Sequence, residues 1–342
     1  MTERVICDVL HASYILLLLI EMAESYGVRD VKDAVPDSAL TFTGSQIRQT
    51  RGRYPSLCVN DDGKIVEIHQ PAFGLTWSNK FYYQVGTLLD DFTVRWSQEE
   101  RELGERGNGE YSRVALNSNN NVVVVYELRR WIHYHVGHLN PIRDHIEWTG
   151  HGRISKGRYP AVALNNKGQA VIAYEGNFNY RTFYRTAQVQ PQNNVKIDWS
   201  EQGRLFTDVA NELSLAVNQM GCIVAASSGY RDRMYFRVGE IQANDGQNHF
   251  SIAWKATQSF DIPKCRPAVS IDDTSNVVVA YQTKSGRHLS YQVGKLENRQ
   301  IRWIHQPRNY DLGCNPTIAL CNNGKWLEEL CTPWSQAFLP CW

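Results

Sequence analysis

The chain has no apolar run long enough to cross a bilayer as a helix. Its longest, Tyr14 to Ile20, covers seven residues, where a membrane helix needs roughly 20. The run does not read as a secretory signal either. Acidic residues flank it, Glu3 and Asp8 before and Glu21 and Glu24 after, where a basic segment and a small-residue cleavage site belong. Net charge is nearly absent, with 36 Lys and Arg against 35 Asp and Glu, the two signs interspersed. That balance argues against a broad field for nucleic acid or an anionic membrane.

Eight cysteines at 7, 58, 222, 265, 314, 321, 331 and 341 include no Cys-x-x-Cys pair, so no zinc spacing is present. There is no Asn-x-Ser/Thr sequon, since Asn315-Pro316-Thr317 carries the forbidden proline. Reduced thiols and the missing sequon favour a cytosolic or bacterial setting over secretion. No Gly-rich phosphate loop, metal-ligand spacing or nucleophile elbow occurs, and no cofactor or metal is expected.

What the chain does have is repetition. Tyr54-Pro55-Ser56-Leu57-Cys58-Val59-Asn60, Tyr111 to Asn117 and Tyr159 to Asn165 are copies of one motif, and Glu212 to Asn218, Arg266 to Asp272 and Asn315 to Cys321 are weaker ones. Each motif ends at an anchor residue. A turn rich in Asn, Asp or Gly follows, then a β-branched run such as Val122 to Val125, which is a hairpin signature. A third strand reads Tyr83-Gln84-Val85-Gly86, Tyr134 to Gly137, Phe236 to Gly239 and Tyr291 to Gly294, with Tyr184 to Ala187 as the worn copy. A fourth carries Trp96, Trp148, Trp199, Trp254 or Trp303.

Four short strands per unit, none able to bury its faces alone, predict a β-propeller of about seven blades. Phe42 stands 18 residues before Asn60, as Trp254 does before Asp272, and so takes a Trp slot. Counting back makes His11 an anchor, Ile15 to Ile20 a second strand and Tyr26-Gly27-Val28 a third. The expected single domain spans 1–342, with blades over 5–52, 53–108, 109–157, 158–210, 211–263 and 264–313 and a partial one over 314–342. The Trp slot reads as a packing plate between blades.

The repeat resembles those of bladed lectins and sialidase-type propellers in its Tyr-Pro-x-Val-Ala-Leu-Asn opening and its Tyr-x-Val-Gly third strand. That resemblance implies a carbohydrate-related propeller. The Ser-x-Asp-x-Gly-x-x-Trp box that sialidase chemistry would bring is missing, as are the WD40 and kelch signatures.

Two sets of polar residues recur. Gln70, Glu127, Glu175, Ser228 and Gln282 end the second strands, and Gln84, His135, Arg185, Arg237 and Gln292 sit on the third. Paired in order, they read either as a cross-strand device within each blade or as donors and acceptors around one mouth of the ring, suited to sugar hydroxyls. Loops after the second strand add Phe73, Trp77 and Phe81, Trp131 with Arg129 and Arg130, Phe178 with Tyr180, and Tyr230 with Arg231 and Arg233. The expected function is a non-enzymatic, lectin-like carbohydrate-binding propeller with several degenerate sites. A protein-interaction scaffold is the alternative. A glycoside hydrolase using Glu127 and Glu175 is third. Expected partners are glycans or a protein, not nucleic acid or a membrane, and oligomeric state is left open.

Overall fold

The computed structural model describes residues 24–30, 41–48, 52–71, 80–90, 93–103, 109–177, 181–189, 197–206, 210–229, 233–242, 249–260, 266–283, 288–304, 306–312, 314–320 and 325–331. Among these every regular element is a β-strand. The chain starts with β1 (Glu24–Asp30) and β2 (Thr41–Arg48). One meander follows in β3 (Gly52–Val59), β4 (Lys64–Pro71), β5 (Tyr82–Leu88) and β6 (Val94–Trp96), with the two-residue β7 (Arg101–Glu102) also on β5.

A second meander runs through β8 (Gly109–Leu116), β9 (Asn121–Leu128), β10 (Trp131–Asn140) and the front of β11 (His145–Leu164). The 20-residue β11 continues into a third, with β12 (Gln169–Gly176), β13 (Thr182–Gln188) and β14 (Gly203–Arg204). A fourth holds β15 (Ala210–Val217), β16 (Cys222–Gly229), β17 (Met234–Gln242) and β18 (Ser251–Phe260). A fifth holds β19 (Pro267–Ile271), β20 (Asn276–Gln282), β21 (His288–Glu297) and β22 (Gln300–Trp303), with β23 (Arg308–Leu312) on β21. The described chain ends in β24 (Cys314–Leu320) and β25 (Lys325–Cys331).

The last pair does not stand alone. β25 pairs with β1, and the sheet order is β2-β1-β25-β24, so one four-stranded sheet is built from both ends of the described chain. The expected half-blade at the C-terminus and the expected N-terminal strands therefore belong together. Tyr26-Gly27-Val28 does lie in a third strand, and Arg29 opposite Phe42 repeats the register of Gly86 opposite Trp96. Both edges of β1 are taken, by β2 and β25, so the place the register gave to Ile15–Ile20 is held by β25; His11 and Ile15–Ile20 lie outside the described residues.

The first strand of each meander touches the first strand of the next, β3 to β8, β8 to β11, β11 to β15, β15 to β19, β19 to β24 and β24 back to β3. That cycle gives a closed, propeller-like array. Pairing the two ends covers the edges of β1 and β25 that would otherwise be open to another chain.

Packing between sheets explains the motif. Four third-strand aromatics meet the Trp of the following sheet edge to face: Tyr83 with Trp148 at 5.8 Å, Tyr134 with Trp199 at 5.8 Å, Tyr184 with Trp254 at 5.4 Å and Phe236 with Trp303 at 5.1 Å between ring centres. Such pairs contribute about 0.5–1.5 kcal/mol beyond their burial. The glycine of Tyr-x-Val-Gly lies under the Trp of its own sheet. A Cβ on Gly137 would stand 2.9 Å from the Trp148 ring and 2.7 Å from the Glu147 carbonyl.

The anchor asparagines do two jobs. Asn117 Oδ1 accepts from its own hairpin's Asn121 amide at 3.0 Å, while Nδ2 donates to the Asn165 carbonyl of the next unit at 2.9 Å. Asn218 repeats this with the Cys222 amide and the Asp272 carbonyl. The following residues form a second belt, in which the amides of Ser118, Asn166 and Gln219 donate to the side chains of Asn166, Gln219 and Asp273 at 2.7–2.8 Å. One buried residue type thus both caps a turn and ties neighbouring units, which is why it recurs.

Candidate functional site

The first strands carry an extra residue near their start. Pairing jumps between Arg53 and Ser56, Glu110 and Arg113, Arg158 and Ala161, Asn211 and Ser214, and Cys314 and Thr317. Inside each jump sits a non-glycine residue with left-handed backbone: Tyr54 (φ 53°), Tyr111 (55°), Tyr159 (50°), Glu212 (48°) and Asn315 (52°). A bulge re-aims a side chain, and five equivalent residues held in a sparsely populated conformation mark a place where the fold accepts strain. Of the prolines that follow, Pro55 and Pro316 are tolerated because β3 and β24 are sheet edges, and Pro160 because it falls in the bulge of β11, past the last residue that pairs with β10.

The re-aimed side chains meet. Tyr54, Tyr111, Tyr159, Glu212, Arg266 and Asn315, one from the same motif position of each unit, line one cavity, joined by Arg113 from β8. Tyr54 and Tyr111 have ring centres 5.2 Å apart, Tyr111 and Tyr159 4.6 Å. Arg266 Nε donates to Glu212 Oε1 at 2.7 Å, and its Nη1 donates to Asn315 Oδ1. Half the rim is therefore aromatic and half is a guanidinium held between a carboxylate and an amide.

Electrostatics keep these groups in defined states. Burial, then Tyr159, Tyr54 and Glu110, push the Tyr111 phenol above its usual range, so it keeps its O–H. Burial and the nearby Arg266 pull Arg113 down to about 10, still cationic at neutral pH. Burial also works against the Arg266 cation, but Glu212, Tyr54 and Tyr111 together outweigh it and raise its pKa. The rim offers phenol donors, two cations and one carboxylate around aromatic faces.

The residues singled out in sequence fall elsewhere. The expected pairs do not face each other. Gln84 lies opposite Glu67, His135 opposite Val124, Arg185 opposite Ile172, Arg237 opposite Ala225 and Gln292 opposite Val279, each three residues from the assumed partner. An offset of three places the two sets on opposite sheet faces, because side chains alternate along a strand. The third-strand set is a brace. Gln84 donates to the Ser97 carbonyl at 2.6 Å, Arg185 to Ser200 at 2.5 Å and Arg237 to Lys255 at 2.9 Å, in each case the residue after the Trp. His135 is 3.2 Å from the Tyr126 hydroxyl, and Gln292 is buried.

The second-strand set lies one layer behind the cavity. Gln70, Glu127, Glu175 and Ser228 are buried opposite Arg53, Glu110, Arg158 and Asn211. Gln70 Nε2 donates to the Gly109 carbonyl, and Ser228 Oγ to the Asn211 carbonyl at 3.1 Å; Gln282 is half-buried at the end of β20. Arg158 holds Glu175 at 2.5 Å, where Arg185 had been expected. Burial raises the Glu175 pKa against that Arg158 contact. Glu127 is raised to about 7 by burial and then by Glu110, against the Tyr159 amide, Arg158 and Arg130. Trp131 is half-buried beneath Arg153; Trp77, Tyr180 and Tyr230 lie outside the described residues.

The cavity residues were in plain view as the first letter of the repeat. Their signal was drift, Tyr in three copies, then Glu, Arg and Asn, within a motif otherwise held by packing.

Comparison with solved structures places this geometry among propeller-like folds. The chain is similar to AofleA from Arthrobotrys oligospora, in a triple arginine-to-alanine mutant, with a TM-score of 0.54 and 11% identity over 82% of this chain and 80% of that one. It is similar to a mutant of the NanB sialidase from Streptococcus pneumoniae, with a TM-score of 0.56 and 11% identity over 84% of this chain and 66% of that one. A putative 6-phosphogluconolactonase from Bacteroides fragilis matches with a TM-score of 0.51 and 8% identity over 89% of this chain and 86% of that one. No protein-family model matches the chain, and no curated protein matches it in sequence. At such identities the likeness is one of fold: all-β and propeller-like.

Proposed function

We propose that the chain is a single six-bladed propeller that binds carbohydrate without chemical turnover, and that the axial cavity is its principal site. The carrying observation is the convergence of Tyr54, Tyr111, Tyr159, Arg113, Glu212, Arg266 and Asn315 on one cavity. Tyrosine faces take the apolar side of a sugar ring, while phenol, guanidinium, carboxylate and amide groups pair with its hydroxyls. The neighbouring sialidase fold supports a carbohydrate-related reading. The non-catalytic reading is supported by Glu127 and Glu175, both buried behind the rim and Glu175 held by Arg158.

The test is a glycan array at physiological salt, with Tyr111→Asn beside the wild type. Asparagine suits the left-handed backbone at that position and already occupies the equivalent place at 315, so the variant removes the aromatic face without straining the bulge. Binding to a defined set of sugars, lost in the variant, is the expected result. Silence across neutral, fucosylated and sialylated glycans overturns the reading. A stoichiometric protein partner that sugar does not displace would replace it with the scaffold reading.

A further inference from the structure

The hairpin joining β9 to β10 is a two-residue loop, because Leu128 pairs with Trp131. Both loop residues have left-handed backbone, Arg129 at φ 52° and Arg130 at φ 62°. Such loops ordinarily take Asn-Gly or a similar pair, since arginine pays for the conformation with strain. The strain holds two exposed guanidinium groups at a tight tip.

Two more cations lie beside them. Lys156 pairs across from Trp131 and Arg153 across from His133, and both are exposed. The Arg153 guanidinium sits 4.1 Å from the Trp131 ring centre and the Lys156 ammonium 5.4 Å from it, so the indole holds both charges in place. None of the four cations forms an ion pair among the described residues; Arg130 reaches only the Asn177 amide oxygen at 3.4 Å. Arg130 acts electrostatically on Glu127, but no nearby acid among the described residues forms an ion pair with the four. Glu127 and Glu175 are buried, Glu175 is held by Arg158, and Glu110 is the exposed one, opposite Glu127.

Four exposed cations without an ion pair among the described residues, on a chain of net charge +1, are a local feature rather than part of a general field. We propose that Arg129, Arg130, Arg153 and Lys156 form a second binding site, on the rim of the array, for the sulfate groups of an anionic polysaccharide. Guanidinium groups are weakly hydrated and present forked donors to oxyanions, which suits closely spaced sulfates. Single-stranded nucleic acid is disfavoured because base stacking needs an open aromatic face, and Arg153 covers that of Trp131. Duplex binding draws on a basic surface broader than this one. The inference stands apart from the axial reading: the rim can bind whether or not the array yields a sugar for the cavity.

The experiment titrates the full chain with a heparin oligosaccharide, with its desulfated counterpart and with a single-stranded DNA of similar charge. Two variants accompany the wild type. Arg129→Asn with Arg130→Gly removes two charges while giving the turn residues it favours, so the melting temperature is held or raised. Arg153→Gln with Lys156→Gln removes the other two. Heparin is expected to bind at 50 mM salt on the order of tenfold or more tightly than in either variant, with each pair lowering the slope of log K against log salt by about two. Absence of heparin binding, equal binding of the desulfated chain, tighter binding of the DNA, or unchanged affinity in both variants would each overturn the proposal.

Discussion

Removing the Asn117 side chain tests the physical account of the repeat. The residue is 2% exposed, and Asn117→Ala deletes one acceptor for the Asn121 amide and one donor to the Asn165 carbonyl. Breaking a buried hydrogen bond while leaving its partner in place costs about 1–2 kcal/mol, so the variant loses about 2–4 kcal/mol. The unfolding entropy of globular proteins is about 2.1 cal/mol/K per residue, which for 342 residues translates the loss into a drop of roughly 3–6 °C in melting temperature. Asn218→Ala, whose contacts to Cys222 and Asp272 are equivalent, should lose a similar amount. The two share no partner, and their effects should add to within about 0.5 kcal/mol. Thermal and urea unfolding followed by tryptophan fluorescence measures both. A loss under about 0.5 kcal/mol in either variant would refute the assignment of the anchor as a tie between units.

Three further outcomes follow from single contacts. The Glu127 pKa stands above its unfolded value, at about 7, so the folded state holds the proton more tightly and stability falls as pH rises from about 4.5 to 7. Glu127→Gln removes that dependence, and its melting temperature relative to wild type should climb between pH 5 and pH 8; a constant difference contradicts the cause given. Arg158→Ala leaves Glu175 buried without its cation and should cost about 2–3 kcal/mol in urea unfolding, with much of it recovered in Arg158→Ala/Glu175→Gln; no recovery would show that the ion pair is not the reason. Gly137→Ala drives a Cβ into the Trp148 ring and the Glu147 carbonyl and should cost about 1–3 kcal/mol by the same measurement.

The strands, the Trp slots and even the worn third strand at Tyr26 were legible because one packing problem is solved repeatedly, and each solution leaves its residues in register. The partner of β1 was not legible. Ile15 to Ile20 is an apolar run and β25 mixes apolar residues with Lys325, Glu328 and Glu329, yet both stand next to a valid register, and only long-range pairing decides between them. The polar pairs were misread by three residues in every unit, because counting along the chain cannot tell where a hairpin begins to pair. The axial cavity escaped for a related reason: a bulge is a backbone event, and Tyr54, Tyr111 and Tyr159 read as motif openings until their left-handed backbone turns them towards one another.

A crystal structure of the chain soaked with monosaccharides bears most directly on the claim that the axial cavity is a sugar site. Ligand density against Tyr54, Tyr111 and Tyr159, with hydroxyls on Arg266 or Glu212, is the predicted result. Sugar bound only elsewhere on the array, with the cavity holding solvent alone, would contradict it.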